Sequence, residues 1–156
     1  MASRMKITML SLVAALACAP ACTSSDGGGS LTIADTPLAG KAYGQPWTFV
    51  SGKQSAGLAS FYSVAWDCTQ FGDPTGTAPT LLTSLPTTPG EYDLGVGTGK
   101  PTVTFVQPPS TTSIAVQGKI RIDMVTATEI TGGLVAKVDG NNSVSGTFML
   151  SICPAQ

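Results

Sequence analysis

The fold is decided by residues 114–124, which read IAVQGKIRIDM. Two sets alternate along this stretch, one apolar or small and the other mostly polar: Ile114, Val116, Gly118, Ile120, Ile122 and Met124 against Ala115, Gln117, Lys119, Arg121 and Asp123. Successive side chains of a β-strand point to opposite faces, so a period of two gives one apolar and one wet face. The stretch predicts a half-buried antiparallel strand.

The same period continues in the residues that follow. Ile130, Leu134, Ala136 and Val138 are predicted to form the inner face of the next strand, and Val144, Gly146, Phe148, Leu150 and Ile152 that of the last one. Between them, residues 139–142 read Asp-Gly-Asn-Asn, and these residue types tolerate a positive φ. The pattern predicts a hairpin.

Shorter strands are expected nearer the N-terminus. They cover Leu31–Ala34, Leu38–Tyr43, Trp47–Val50, Leu58–Cys68 and Leu81–Leu85, followed by a hairpin of Glu91–Val96 with Thr102–Val106 around residues 97–99. Gly and Pro are frequent and only 11% of residues are charged, which suits strands and tight turns. We expect eight or nine strands in a single domain over residues 31–156. An antiparallel β-sandwich is predicted, with a small β-barrel as the alternative.

Residues 1–21 are typical of a secretory signal peptide. Arg4 and Lys6 supply a positive start, and residues 7–17 form an apolar run. A run of that length is shorter than the roughly 20 residues that span a bilayer. The sequence therefore predicts export.

Two cysteines end this leader, in Ala15-Leu16-Ala17-Cys18 and Ala19-Pro20-Ala21-Cys22. Each has a small residue just before the cysteine and so resembles the lipobox of bacterial lipoproteins, although neither has the large apolar residue three places earlier. The resemblance implies an acylated cysteine, Cys22 with Cys18 as the alternative. Residues 19–21 also fit an ordinary A-x-A cleavage site, which would release a soluble protein. In the lipoprotein interpretation, residues 22–30 are the lipidated cysteine and a flexible Gly/Ser tether.

Cysteine parity favours Cys22 and predicts a disulfide. If Cys22 is acylated, Cys68 and Cys153 remain, and exported proteins usually pair such cysteines. Residues 118–153 also look like the ends of many small, uncharacterised bacterial lipoproteins. That resemblance implies an all-β fold and an envelope location, with no activity attached.

Charge and residue types exclude several functions. Without Arg4 and Lys6, six basic residues face nine acidic ones, which gives a net charge of −3 and disfavours nucleic-acid binding. The chain has no histidine, so Ser-His-Asp and Cys-His catalysis and His-ligated zinc are ruled out. No cofactor and no metal is expected.

Three motifs have a simple structural interpretation. Residues 95–100 resemble a phosphate-binding loop, but Leu94 and Pro101 stand where that motif needs Gly and Ser or Thr. Glu91 and Asp93 share one strand face and could act as paired acids, although a solvated face is expected. Residues 139–143 offer oxygen ligands for Ca²⁺ but lack the distal Glu of a calcium loop.

Two remaining features are candidate binding surfaces. The large aromatics Trp47, Phe61, Tyr62 and Trp66 are expected in the core, with a carbohydrate or peptide platform as the alternative. Phe61 is out of phase with Tyr62, so either both strand faces are buried or one aromatic is exposed. Residues 71–79 are a candidate loop for an inhibitor.

We therefore expect a non-enzymatic lipoprotein of the bacterial envelope, anchored by its lipid, that serves as a binding or structural module. Its ligand would be a protein or a glycan. No Asp directly follows Cys18 or Cys22, which favours the outer membrane. The alternatives are a secreted, loop-presenting inhibitor and a hydrolase that uses carboxylates alone.

Overall fold

The structure, a computed structural model, describes residues 30–70, 72–74, 76 and 78–154. This part of the chain forms eleven β-strands, two or three more than the pattern predicts. The strands are β1 (Ala39–Ala42), β2 (Gln45–Thr48), β3 (Ser51–Ser55), β4 (Leu58–Tyr62), β5 (Thr80–Ser84), β6 (Gly90–Asp93), β7 (Val103–Gln107), β8 (Thr111–Ala115), β9 (Gln117–Val125), β10 (Glu129–Lys137) and β11 (Ser143–Ile152). The predicted all-β class is confirmed.

Nine strands follow one hydrogen-bonded path, in the order β6-β9-β10-β11-β3-β4-β5-β7-β8. The sheet curls into a half-barrel, consistent with a β-sandwich or a small barrel. Only Val116 separates β8 from β9. The chain therefore runs directly from β8, the last strand of the path, into β9, the second strand of the path. Gly118, with φ of +130°, lies just after this junction. The segment predicted as one strand is therefore two.

β11 pairs with three other strands of the sheet. One edge pairs along its length with β10, from Lys137 opposite Ser143 to Glu129 opposite Ser151. The other edge is shared, because β1 pairs with residues 143–145 and β3 pairs in parallel with Ser151 and Ile152. The predicted β10–β11 hairpin is confirmed.

The core lies on the concave face of the curled sheet. Its largest fully buried apolar side chains come from both halves of the path: Leu38, Phe61, Leu81, Val103, Phe105, Ile120, Ile122, Ile130, Leu134 and Leu150. Ile114 and Met124, expected on the same inner face as Ile120, are 56% and 45% exposed. The break at Val116 changes the phase of the alternation before Ile120. A β-bulge in β9, where Asp123 is the extra residue between Ile122 and Met124, changes it again.

Three strand predictions differ from the structure. β6 pairs with β9 and β7 pairs with β5 and β8, so the predicted hairpin around residues 97–99 is wrong. The strand expected over Leu58–Cys68 ends at Tyr62, and residues 31–34 form no strand. The structure adds β3, which no apolar alternation marks.

The predicted signal peptide, Cys18, Cys22 and nearly all of the tether lie outside the described residues. Among the described residues, no helix has the length and apolar character needed to cross a membrane.

Candidate functional site

The most unusual feature is the segment 63–79, which joins β4 to β5 and is called the staple loop below. In the staple loop no strand or helix is described. It folds back over the outer face of β3 and β4, the face that carries Ser51, Lys53, Ser60 and Tyr62. Ser60 and Tyr62 are consequently buried on the side of the sheet away from the core. Both faces of β4 are thus covered. Of the two alternatives for Phe61 and Tyr62, the structure shows the one in which both strand faces are buried.

A disulfide fixes the staple loop to the end of β11. Cys68 and Cys153 are joined at an S–S distance of 2.08 Å, with Cα atoms 5.4 Å apart. Next to the bridge, the Cys153 amide donates a hydrogen bond to the carbonyl of Gln54 at 3.0 Å. The predicted disulfide is confirmed, and it ties the loop to β11 and β3 together.

Asp73 is the second attachment point. Its Oδ1 accepts a hydrogen bond from the Tyr62 hydroxyl at 2.6 Å and lies 3.0 Å from Lys53 Nζ. The hydrogen bond from Tyr62, helped by the charge of Lys53, holds the pKa of Asp73 below its usual value. Burial, and then the hydrogen bond to Asp73, raises the pKa of Tyr62. Tyr62 therefore stays a neutral donor and Asp73 a charged acceptor.

Trp66 completes this cluster. Lys53 Nζ lies 4.4 Å from the centre of the Trp66 ring, within the range of a cation–π interaction. Lys53 Nζ also donates to the carbonyl of Gly72 at 3.1 Å, and the rings of Tyr62 and Trp66 lie 5.8 Å apart. Trp66 Nε1 is buried without a hydrogen-bond partner among the described residues. One lysine thus contacts the staple loop at three points.

Both ends of the staple loop are held as well. Ser51 Oγ donates to the carbonyl of Val64 at 2.7 Å, and Trp47 Nε1 donates to the carbonyl of Pro79 at 2.9 Å. Trp47 and Phe61 are buried in the core, as predicted, whereas Tyr62 and Trp66 are not part of the core, so the prediction is wrong for these two. Between these fixed points the loop exposes Asp67, Thr69 and Gln70 to solvent. The structure therefore holds an irregular segment in one place while leaving part of it accessible.

The other sequence motifs do not come together with this cluster. Glu91 and Asp93 are exposed on β6, at an edge of the sheet, and Glu91 pairs with Lys119 at 3.3 Å. Residues 95–100 form the loop between β6 and β7, with no helix after them. Among the described residues, no group of three potential metal-binding side chains is found.

Residues 139–142 form the turn of the β10–β11 hairpin. Asp139 Oδ1 accepts hydrogen bonds from the amides of Asn141 and Asn142, both at 2.8 Å. Asn142 is buried, and its Oδ1 accepts a hydrogen bond from the Tyr43 amide at 2.9 Å. The predicted hairpin turn is confirmed: Asp139 Oδ1 stabilises the turn itself, and Asn142 Oδ1 joins it to Tyr43.

A second covered surface lies over β10 and β11, where residues 30–37 cross the outer face of the sheet. Ser145 Oγ accepts a hydrogen bond from the Ala34 amide at 2.9 Å and donates to the carbonyl of Thr32 at 3.1 Å. Beside this segment is an open groove of about 580 Å³ whose lining includes Leu31, Val135 and Lys137. The first described residues are thus fixed on the domain.

Sequence reasoning missed Lys53 and Asp73 as partners. They are separated by the whole of β4 and half of the staple loop, and no spacing rule connects them. Only the proline- and glycine-rich composition of residues 71–79 marked the region. No family model, no curated protein and no solved structure matches the chain in the comparisons with known proteins.

Proposed function

We propose that the protein is a lipid-anchored protein of the bacterial envelope, without enzymatic activity, that binds its partner through the staple loop. The observation that carries the proposal is the attachment of this loop at four places: the disulfide, Asp73, and the contacts at Val64 and Pro79. Long irregular loops inside compact domains usually serve function. A loop held in advance loses less conformational entropy when it binds.

The sequence supports the anchor. Residues 1–21 are typical of a signal peptide, Cys22 follows a small residue, and a Gly/Ser stretch separates it from the domain. The Cys68–Cys153 bridge is compatible with an oxidising compartment. Thr23, rather than Asp, follows Cys22, which favours the outer membrane as the destination.

A protein surface is the partner that the loop fits best. Glycan recognition by an aromatic platform needs a free ring face, whereas Trp66 has Lys53 over one face and the Tyr62 ring close by. The accessible side chains of the loop instead include the polar Asp67, Thr69 and Gln70 and the apolar Val64, which is 39% exposed. The polar groups suit hydrogen bonding to another polypeptide.

The anchor is tested by the intact mass of the protein from the membrane fraction. We expect a chain that begins at Cys22 and carries acyl chains, and a Cys22→Ser variant that lacks them and leaves the membrane. Cys18→Ser is the matched control, because it changes the neighbouring candidate and should keep the acyl mass. An acylated C22S protein would show that Cys22 is not the acylated residue, and a wild-type protein without acyl mass would contradict the anchor.

Binding by the loop is tested by photo-crosslinking in intact cells. A photoreactive residue at Gln70 should give one discrete adduct, and the same residue at Thr112, exposed on β8, should not. The Gln70 adduct should weaken when Cys68 and Cys153 are both replaced by Ser, because the loop then loses its main attachment. Equal adducts from both positions, or none from Gln70, would contradict binding at the loop.

One observation favours a second candidate, a secreted inhibitor. Thr69, Gln70 and Gly72 are exposed and lie between the disulfide and the Asp73 ion pair, so this part of the loop is held on both sides, as an inhibitory loop must be. In that case the protein is soluble, and its crosslinked partner is a hydrolase whose activity falls on binding.

A further inference from the structure

The domain has two opposite ends, and β11 runs between them. At the start of β11, Ser143 lies opposite Lys41 of β1 and Lys137 of β10. At its other end, Ser151 lies opposite Lys53 of β3, and Cys153 bridges to the staple loop. Ten residues of strand, at about 3.3 Å each, separate the two ends by about 30 Å.

The N-terminal segment leaves the domain at the Ser143 end. Its contacts follow β11 backwards: the Thr147 amide donates to the carbonyl of Thr36, and Ser145 Oγ donates to that of Thr32. Ser30, the first described residue, lines the groove together with Lys137 and Ser143. The chain that precedes Ser30 therefore starts from the hairpin end, away from the staple loop.

The tether is no longer than β11. Eight residues separate Cys22 from Leu31, and no chain of that length reaches farther than about 29 Å. An anchor at Cys22 thus keeps the hairpin end near the bilayer and leaves the staple loop farther out.

Two lysines lie beside this exit. Lys41 and Lys137 are both directly opposite Ser143, so their side chains lie on the same outer face as the N-terminal segment. Among the described residues, neither ammonium group forms an ion pair. Asp139 also lines the groove, but its Oδ1 accepts the amides of its own turn. Lysines near a membrane attract anionic headgroups.

We propose that the β10–β11 hairpin end, with Lys41 and Lys137, rests on an anionic phospholipid surface, and that the staple loop points away from the membrane. The proposal rests on the proposed acylation of Cys22. It adds the partner of the hairpin end and the direction in which the loop is presented.

The test places one fluorescent label at either end of the full acylated protein. Gly140→Cys labels the hairpin turn, where a β-carbon meets no neighbour within 4 Å, and Ala127→Cys labels the exposed turn between β9 and β10 at the other end. The Thr128 carbonyl accepts the amide of Ile152, which fixes that turn to the far end of β11. Vesicles contain phosphatidylglycerol, phosphatidylcholine and a lipid with a nitroxide quencher in its headgroup.

We expect quenching of about twofold or more at Gly140 and none measurable at Ala127, because the labels are about 30 Å apart. A Lys41→Gln/Lys137→Gln variant should show weaker quenching at Gly140 on anionic vesicles and no change on pure phosphatidylcholine. Equal quenching of both labels, or quenching of Ala127 alone, would overturn the orientation while the anchor stands. Equal quenching at Gly140 in the wild type and in the double lysine variant on anionic vesicles would overturn the contact with anionic lipid. A chain without acyl mass would overturn the anchor and the orientation together.

Discussion

Ile33 lies directly against the backbone of Gly133: a β-carbon built at Gly133 would be 2.6 Å from Ile33 Cγ2. Gly133 is on the outer face of β10, and the absence of a side chain there lets the N-terminal segment approach the sheet. Val135, two residues later on the same face, is only 5% exposed. The contact fixes the path of the chain between the domain and the tether.

A Gly133→Ala substitution should loosen this segment. The added methyl group has to displace Ile33, which we expect to lower the free energy of unfolding by about 1–3 kcal/mol. Hydrogen exchange at Ala34, whose amide is bonded to Ser145 Oγ, should become faster. Gly140→Ala is the control, since nothing lies within 4 Å of its β-carbon. Equal stability of the two variants would contradict the packing described for Ile33.

Removal of the disulfide should cost a large part of the stability. The bridge spans 85 residues, and in the chain-entropy model a loop of that size contributes about 4–5 kcal/mol. Chemical denaturation of a Cys68→Ser/Cys153→Ser variant measures this difference. Reducing agent should lower the denaturation midpoint of the wild-type protein and leave that of the double variant unchanged. A wild-type midpoint unaffected by reduction would show that the bridge adds no stability.

Acidification should weaken the staple loop through Asp73. Its pKa is lowered in the folded state, so its contribution is fully present above the ordinary value of 3.8 and is lost as the pH falls through the lower folded-state value. The carboxylate is largely exposed, so we expect about 1 kcal/mol or less. An Asp73→Asn variant should therefore lose less stability than the wild type below pH 4. Parallel stability curves for the two proteins would refute this role.

The hairpin turn depends on Asn142 rather than on its neighbour. Asn142→Ala removes the acceptor of the Tyr43 amide in a buried position, and we expect a loss of about 1–3 kcal/mol. Asn141→Ala is a matched control, because Asn141 is exposed and its backbone carbonyl, which binds Gly44, is kept. A thermal or chemical unfolding series compares the two. If both variants lost a similar amount of unfolding free energy, the effect would come from the turn and not from the hydrogen bond between Asn142 and the Tyr43 amide.

Strands with local alternation were predictable, and pairing between distant segments was not. β9, β10 and β11 each carry several inward apolar residues, so a period of two is visible in the sequence. β3 reads Ser-Gly-Lys-Gln-Ser, and its position depends on Phe61, Leu150 and other partners elsewhere in the chain. The predicted hairpin around residues 97–99 failed for a related reason. Glu91 and Asp93 pair across from Arg121 and Lys119, which proximity in sequence does not indicate.

The candidate site divides in the same way. The Cys68–Cys153 bridge could be predicted by counting cysteines, because only these two remain after Cys18 and Cys22 are assigned to the leader and the anchor. The cluster of Lys53, Tyr62, Trp66 and Asp73 follows no spacing rule, since a folded-back loop brings it together. Tyr62 and Phe61 are neighbours in a strand and so point to opposite faces. The sequence therefore left two possibilities, that both faces are buried or that one aromatic is exposed.

The pairing of β11 with three other strands also determines the order in which the molecule can assemble. β11 is the last of the described strands in the chain, yet β1, β3 and β10 all depend on it for an edge, and Cys68 depends on the cysteine that follows it. Most stabilising contacts are therefore between residues distant in sequence, which slows folding. A nascent chain that lacks β11 has no complete sheet to close, so the sheet described here cannot form before β11 has been made.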